Sequence, residues 1–229
     1  LLSSNGGNIA YDGQTTSLVM SSETGVNAQW VLQTLEDRKA LLKKASESNP
    51  VDASFLIACN DFSIYDLRYN MWQGAPTLGG YFDNTKGNQC AEKFNTDFDV
   101  YQTVSGAPAG NYRLQVQGFY RNGGYKDAAT KHNSGTESLD AMLYVNEHTV
   151  PLKSIFTEAG KLDVGVTTDG INGKFPNTMS HAAQFFLAGL YDDNTIEFSI
   201  GEGEELRIGI RKAAVTGNDW TIFDNFRLI

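Results

Sequence analysis

Metal and redox chemistry have little to work with in this 229-residue chain: it holds 2 cysteines and 3 histidines. Cys59 and Cys90 allow one disulfide at most, and both two free buried thiols and a single bridge fit their spacing. A bridge would imply an oxidising compartment. His132, His148 and His181 stand far apart, each in or beside a polar loop or a helix start, where a solvated imidazole is expected. Basic residues are few as well. Lys and Arg number 18 against 27 acidic residues, a net charge of -9, and no basic cluster is longer than Lys43-Lys44 or Arg211-Lys212. Such a surface repels phosphate backbones, which excludes nucleic acid and anionic membranes as partners. No apolar run approaches the ~20 residues of a membrane-spanning helix, so no membrane insertion is expected. Leu1 and the polar Ser3-Ser4-Asn5-Gly6-Gly7 carry no signal-peptide pattern, and the chain reads as a processed piece of a larger protein. Sequence patterns of catalysis are missing too: there is no Gly-x-Ser-x-Gly, no His-Glu-x-x-His, no Gly-rich phosphate loop and no zinc spacing.

What the chain has is turn residues and short apolar runs. One helix stands out, where Thr34-Leu-Glu-Asp37 resembles a capping box and Leu35, Leu41, Leu42 and Ala45 recur at helical spacing up to Asn49-Pro50. It divides the sequence into a β segment over 1–33 (around Ile9-Ala-Tyr11, Ser17-Leu-Val-Met20 and Gln29-Trp-Val-Leu32), a connecting helix over 34–49, and a main domain over 50–229. The first segment is too small to fold alone and reads as strands docked on the main body or as the remnant of a preceding domain.

Beyond Pro50 the pattern is period-2 alternation punctuated by turns. In Asn111-Tyr-Arg-Leu-Gln-Val-Gln-Gly-Phe-Tyr120, residues Leu114, Val116, Gly118 and Tyr120 share a core face. Arg113, Gln115, Gln117, Phe119 and Arg121 share a wet one. The stretches 98–104, 141–145, 195–200, 206–210 and 220–228 read as further strands, joined as a meander by turns at 106–110 and 201–203. A short helix over 180–188, with Ser180 as N-cap, interrupts them. Many short strands without βαβ alternation indicate an all-β fold, a jelly-roll β-sandwich.

Aromatic and amide residues are plentiful, with 13 Phe, 10 Tyr and 3 Trp. Sugars present C–H faces to rings and hydroxyls to amides and charged groups, so a saccharide site needs both. The combination recurs on the wet face Arg113, Gln115, Gln117, Phe119, Arg121 and in the turn-prone loops carrying Trp72, Tyr81, Phe82, Asn84 and Tyr125. For each ring the competing assignment is a cap on the core. In Trp220-Thr-Ile-Phe-Asp-Asn-Phe-Arg-Leu228, the parity that buries Ile222, Phe226 and Leu228 points Asp224 inward. A structural calcium, with Asn60-Asp61 as further donors, and a hydrogen-bonded carboxyl both answer that burial. Paired carboxylates for glycoside hydrolysis are not singled out by the sequence, although 27 acidic residues leave that chemistry open.

Several stretches taken together resemble a known family: 49–57, Cys90-Ala-Glu-Lys-Phe-Asn95, 98–102, Pro108-Ala-Gly-Asn-Tyr-Arg-Leu114, Gly118-Phe-Tyr-Arg121 and Asp219-Trp-Thr-Ile-Phe-Asp-Asn-Phe-Arg-Leu228. They are similar to galactose-binding-domain-like sandwiches and to carbohydrate-binding modules of the cellulose- and xylan-binding kind, over about 50 to 229. The resemblance implies a jelly roll of eight or nine strands with one structural calcium at Asp224 and, less directly, Asn60. It also implies a non-catalytic role on polysaccharide or glycan, within a secreted or cell-surface protein that carries other domains. A ligand-free structural or protein-interaction spacer, and an accessory domain of a glycoside hydrolase or lyase, are the rival expectations.

Overall fold

The computed structural model describes residues 3–4, 7–11, 18–21, 34–63, 71–80, 89–165 and 173–229. Its contacts divide the chain into two units, 1–41 and 42–229. The first holds three antiparallel strands, β1 (Ser3–Ser4), β2 (Gly7–Tyr11) and β3 (Leu18–Ser21), in the order β1-β2-β3. The expected strand at 29–32 lies outside the described residues.

Helix α1 (Leu35–Leu42) begins at the expected capping box. Thr34 Oγ1 accepts the Asp37 N–H at 3.1 Å while the Asp37 carboxylate accepts the Thr34 N–H at 2.9 Å, satisfying two helix-end donors. The Thr34 N–H and the Thr34 hydroxyl, both donating to it, hold the Asp37 carboxyl below its ordinary range. The helix is shorter than 34–49, and of its apolar residues only Leu42 is buried; Leu35 and Leu41 are exposed.

In the second unit two antiparallel sheets face each other, making the expected all-β sandwich of jelly-roll type. One sheet has the order β10-β7-β12-β5-β4, built from β4 (Thr77–Gly79), β5 (Cys90–Phe94), β7 (Gly110–Arg121), β10 (Asn194–Ile200) and β12 (Trp220–Leu228). The other, β6-β11-β8-β9, comprises β6 (Phe98–Val104), β8 (Met142–Val145), β9 (His148–Pro151) and β11 (Leu206–Lys212). The turns at 106–110 and 201–203 do not close hairpins. Each carries the chain from one sheet to the other, since β6 and β7, and again β10 and β11, belong to different sheets. The meander expected from the sequence is therefore corrected to sheet-to-sheet crossings. Within the family-like stretch 49–57, Ser54–Leu56 form a turn of 3-10 helix.

Between the sheets lies the main core, where Leu114, Val116 and Tyr120 of β7 meet Ile196, Phe198 and Ile200 of β10 and Leu206, Ile208 and Ile210 of β11. A second cluster covers part of the outer face of the five-stranded sheet. Helix α3 (Met179–Leu187) lays Ala182, Phe185 and Phe186 against Phe119, Trp220 and Ile222. Its N-cap is Thr178, not Ser180: Thr178 Oγ1 accepts the His181 N–H at 3.1 Å. Helix α2 (Tyr125–Ser134), not expected from the sequence, follows β7 and closes on Gly135, whose left-handed φ of 68° fits a helix terminus.

Cys59 and Cys90 are not joined by a disulfide. Burial pushes the Cys90 thiol well above its ordinary pKa.

Candidate functional site

The second cluster leaves one end of the outer face of β7 uncovered, and a cleft of about 440 Å³ opens there. Its floor is made of side chains from two neighbouring strands, Gln115 and Gln117 of β7 and Asn225 and Arg227 of β12. Residues near the 3-10 turn, Asp52, Ser54, Asn60 and Asp61, line it further, as do Phe186, Gly189 and Asp192 around the end of α3.

A β-bulge shapes the floor. Asp224 pairs with Gln117 and Arg227 with Gln115, so two residues of β12, Asn225 and Phe226, oppose Val116 alone. Asn225 takes the left-handed conformation that makes this possible, φ 50°, a region Asn tolerates better than most residues. The extra residue resets the parity of the strand. Phe223, Phe226 and Leu228 all enter the main core, while Asp224 follows Trp220 and Ile222 toward the other side. The inward direction expected for Asp224 is thus corrected: it is buried, but not by the inter-sheet core.

Hydrogen bonds fix the cleft walls. Gln117 Nε2 donates to the carbonyls of Phe186 and Leu190, at 2.9 Å each, and its Oε1 accepts from the Asn225 amide. One glutamine thereby ties the bulge to the end of α3. Gln115 Nε2 donates to the Asp192 carbonyl. Asn60 latches the bulge from the opposite wall, its amide donating to Phe226 O at 2.9 Å and its own carbonyl accepting the Phe226 N–H at 2.8 Å. Asp52 and Asp61 each turn one oxygen to a nearby backbone N–H, of Ser54 at 2.8 Å and Ser63 at 3.1 Å. Among the described residues, no hydrogen bond engages their second oxygens, the side-chain oxygens Asn60 Oδ1 and Gln115 Oε1, or the Asp192 carboxylate.

Behind the cleft, Asp224 Oδ1 accepts the Asn225 N–H at 2.8 Å. Desolvation raises its carboxyl well above the ordinary range, the bond to Asn225 opposes this, and the charge of Asp61 adds to the rise. Calcium takes six or more oxygen ligands. Among the described residues Asp61 and Asp224 are in electrostatic contact, no three His, Cys, Asp or Glu side chains gather, and the Asn60 nitrogen donates to Phe226 O, leaving its side-chain oxygen open.

The ring platforms expected from the sequence have a different fate. Trp72 is 3% exposed, packed within the main core at a tilt against Phe62 and Phe226 with centroids 5.0 and 4.6 Å away. Phe119 is fully buried under α3. Neither can offer a face to a ligand, because each fills a core that no single strand reveals. Arg121 is buried as well, its guanidinium over the Trp220 ring and bonded to Gly123 O, Asn177 Oδ1 and Asn218 O. It is corrected from a ligand donor to an internal clamp. Tyr125, half-buried, stacks on Phe175. Tyr81, Phe82 and Asn84 lie outside the described residues. Of the expected wet face, Gln115 and Gln117 line the cleft and Arg113 is exposed nearby on the same strand. Asn60 lines it too, and Asp52, Asp192, Asn225 and Arg227 were not singled out by the sequence.

No family model matches the sequence, and no curated protein does. Among solved structures, the fold is similar to a carbohydrate-binding module, TmCBM61, determined in complex with β-1,4-galactotriose. The two are 11% identical, with a TM-score of 0.36, and the match covers 75% of this chain and 94% of that one.

Proposed function

We propose that the second unit is a non-catalytic glycan-binding module of a secreted or cell-surface protein, and that it holds its ligand in this cleft. The observation that carries the reading is the concave site itself. Its 440 Å³ lies within the ~300–1,000 Å³ of small-ligand sites, and amides, carboxylates and one guanidinium converge on it. Each sugar hydroxyl both donates and accepts. It can donate to the oxygens of Asn60, Gln115, Asp52, Asp61 and Asp192 and accept from Arg227. The only ring in the wall among the described residues, Phe186, is 4% exposed, so recognition rests on hydrogen bonds more than on stacking.

The sequence-level resemblance supports this reading and is the sole basis for the cellular location. The rival reading of a ligand-free spacer draws on the burial of Trp72 and Phe119, which removes the broad aromatic platform expected of the site. Affinity gels and a glycan panel separate the two. Binding should weaken roughly tenfold on Arg227→Ala, the equivalent of one charge-assisted hydrogen bond. A folded protein that binds no glycan, or binds equally well after Arg227→Ala, would overturn the assignment.

A further inference from the structure

The cleft is unbalanced in its charged groups. Gln117 spends both N–H donors on the walls, while Asn60, Gln115 and Asn225 spend one each and keep a donor and an acceptor for a ligand. One oxygen each of Asp52 and Asp61 and the carboxylate of Asp192 add anionic acceptors. Among the described residues of the lining, Arg227 is the single cationic side chain, against three carboxylates. The whole chain adds a net charge of -9. A site of this kind favours ligands that bring positive charge, and concave walls concentrate its field. A uronate or sulfate ester would bring acceptors and negative charge, and would leave its own oxygens facing carboxylates.

Resting on the glycan-binding reading, we propose that the cleft selects glycans bearing free amino groups, such as oligomers of unacetylated glucosamine, over neutral glycans, and rejects uronic-acid glycans. The ammonium groups would pair with the open oxygens of Asp61, Asp52 and Asp192, while ring hydroxyls meet Gln115, Asn60 and Arg227.

Titration calorimetry on the full 229-residue chain at pH 6 tests this, with three probes: a fully deacetylated glucosamine hexamer, its N-acetylated counterpart and a galacturonate hexamer. An exposed ion pair strengthens binding about twofold to fivefold, so an amine ligand meeting two carboxylates should bind about tenfold tighter than the acetylated one. Raising the salt to 0.5 M should remove most of that advantage. The ratio of amine to neutral affinity should fall in Asp61→Asn/Asp192→Asn. It should hold in Glu147→Gln/Glu202→Gln, which changes net charge equally at exposed positions away from the cleft. Equal affinity for both hexamers, or tighter binding of the galacturonate, overturns the selectivity and leaves the glycan-binding reading standing. A preference that survives Asp61→Asn/Asp192→Asn overturns its assignment to the cleft. If neither glucosamine hexamer binds while the glycan panel yields a ligand, the selectivity fails alone; if the panel yields none, both readings fail together.

Discussion

Two buried carboxylates, one just before β12 and one at its middle, meet the same physical problem in different ways. Asp219, just before β12, lies at the sealed end of the sandwich. Its Oδ2 accepts from the Tyr120 hydroxyl at 3.2 Å and the Thr216 N–H at 3.0 Å, and forms an ion pair with the ammonium of Lys212, itself buried. Burial and the nearby carboxylates Asp219 and Asp140 push the Tyr120 hydroxyl far above its ordinary pKa, which keeps it a donor. Asp224, five residues on, has the Asn225 N–H and the repulsion of Asp61. The first acid is compensated by a cation and holds the core; the second is not, and it stands behind the cleft. A paired cation serves rigidity even though Asp219 Oδ1 has no hydrogen-bond partner among the described residues, whereas the bulge keeps polar groups available beside an open surface.

Breaking the first region should have the largest effect. Asp219→Ala leaves the Lys212 ammonium buried without its partner and should cost about 3–5 kcal/mol in urea unfolding. The double replacement Lys212→Met/Asp219→Leu should recover most of that loss, because it removes both charges; a double variant no more stable than the single one would contradict the pairing. A middle-sized effect is expected at the link between the regions. Gln117→Leu strands the carbonyls of Phe186 and Leu190 and the Asn225 amide. It should lower stability by about 1–3 kcal/mol and weaken glycan binding together, and a change in only one of the two would separate the wall from the site.

The smallest effect has the opposite sign. Because the Asp224 carboxyl is raised in the folded state, the folded protein holds a proton that the unfolded chain has released, over the range from about pH 3.9 up to the raised value. Across that range stability contributed by this group falls as pH rises. Asp224→Asn cannot ionise, so it should be no more stable than the parent near pH 4 and should melt a few degrees higher at pH 8. An equal difference at both pH values would show that the substitution acts through packing alone.

Much of the fold was legible in short-range pattern. The alternation of Leu114, Val116 and Tyr120, and of Ile196, Phe198 and Ile200, marked residues that do enter one core. The capping box at Thr34 was readable because its bonds span three residues. The outer face of β7 was not. Gln115 stays near solvent while Phe119 is sealed by α3, which lies about sixty residues further along the chain, and alternation carries no sign of which end is covered. Glycine-rich turns likewise announced that the chain bends without saying which sheet it enters. The bulge at Asn225 broke the parity on which the direction of Asp224 had been read.

By itself, then, the sequence determined a β-rich chain with one well-capped helix, one apolar face per strand and no familiar catalytic motif. These follow from contacts between residues two to four apart, and from composition. Tertiary structure decided that the two faces of β7 lead to different cores, that the expected ring platforms Trp72 and Phe119 fill them, and that Gln115, Gln117 and Arg227 border a cleft with Asp61 and Asp192. Those outcomes depend on pairing between segments dozens of residues apart, where a single extra residue in β12 changes which side chains share a face.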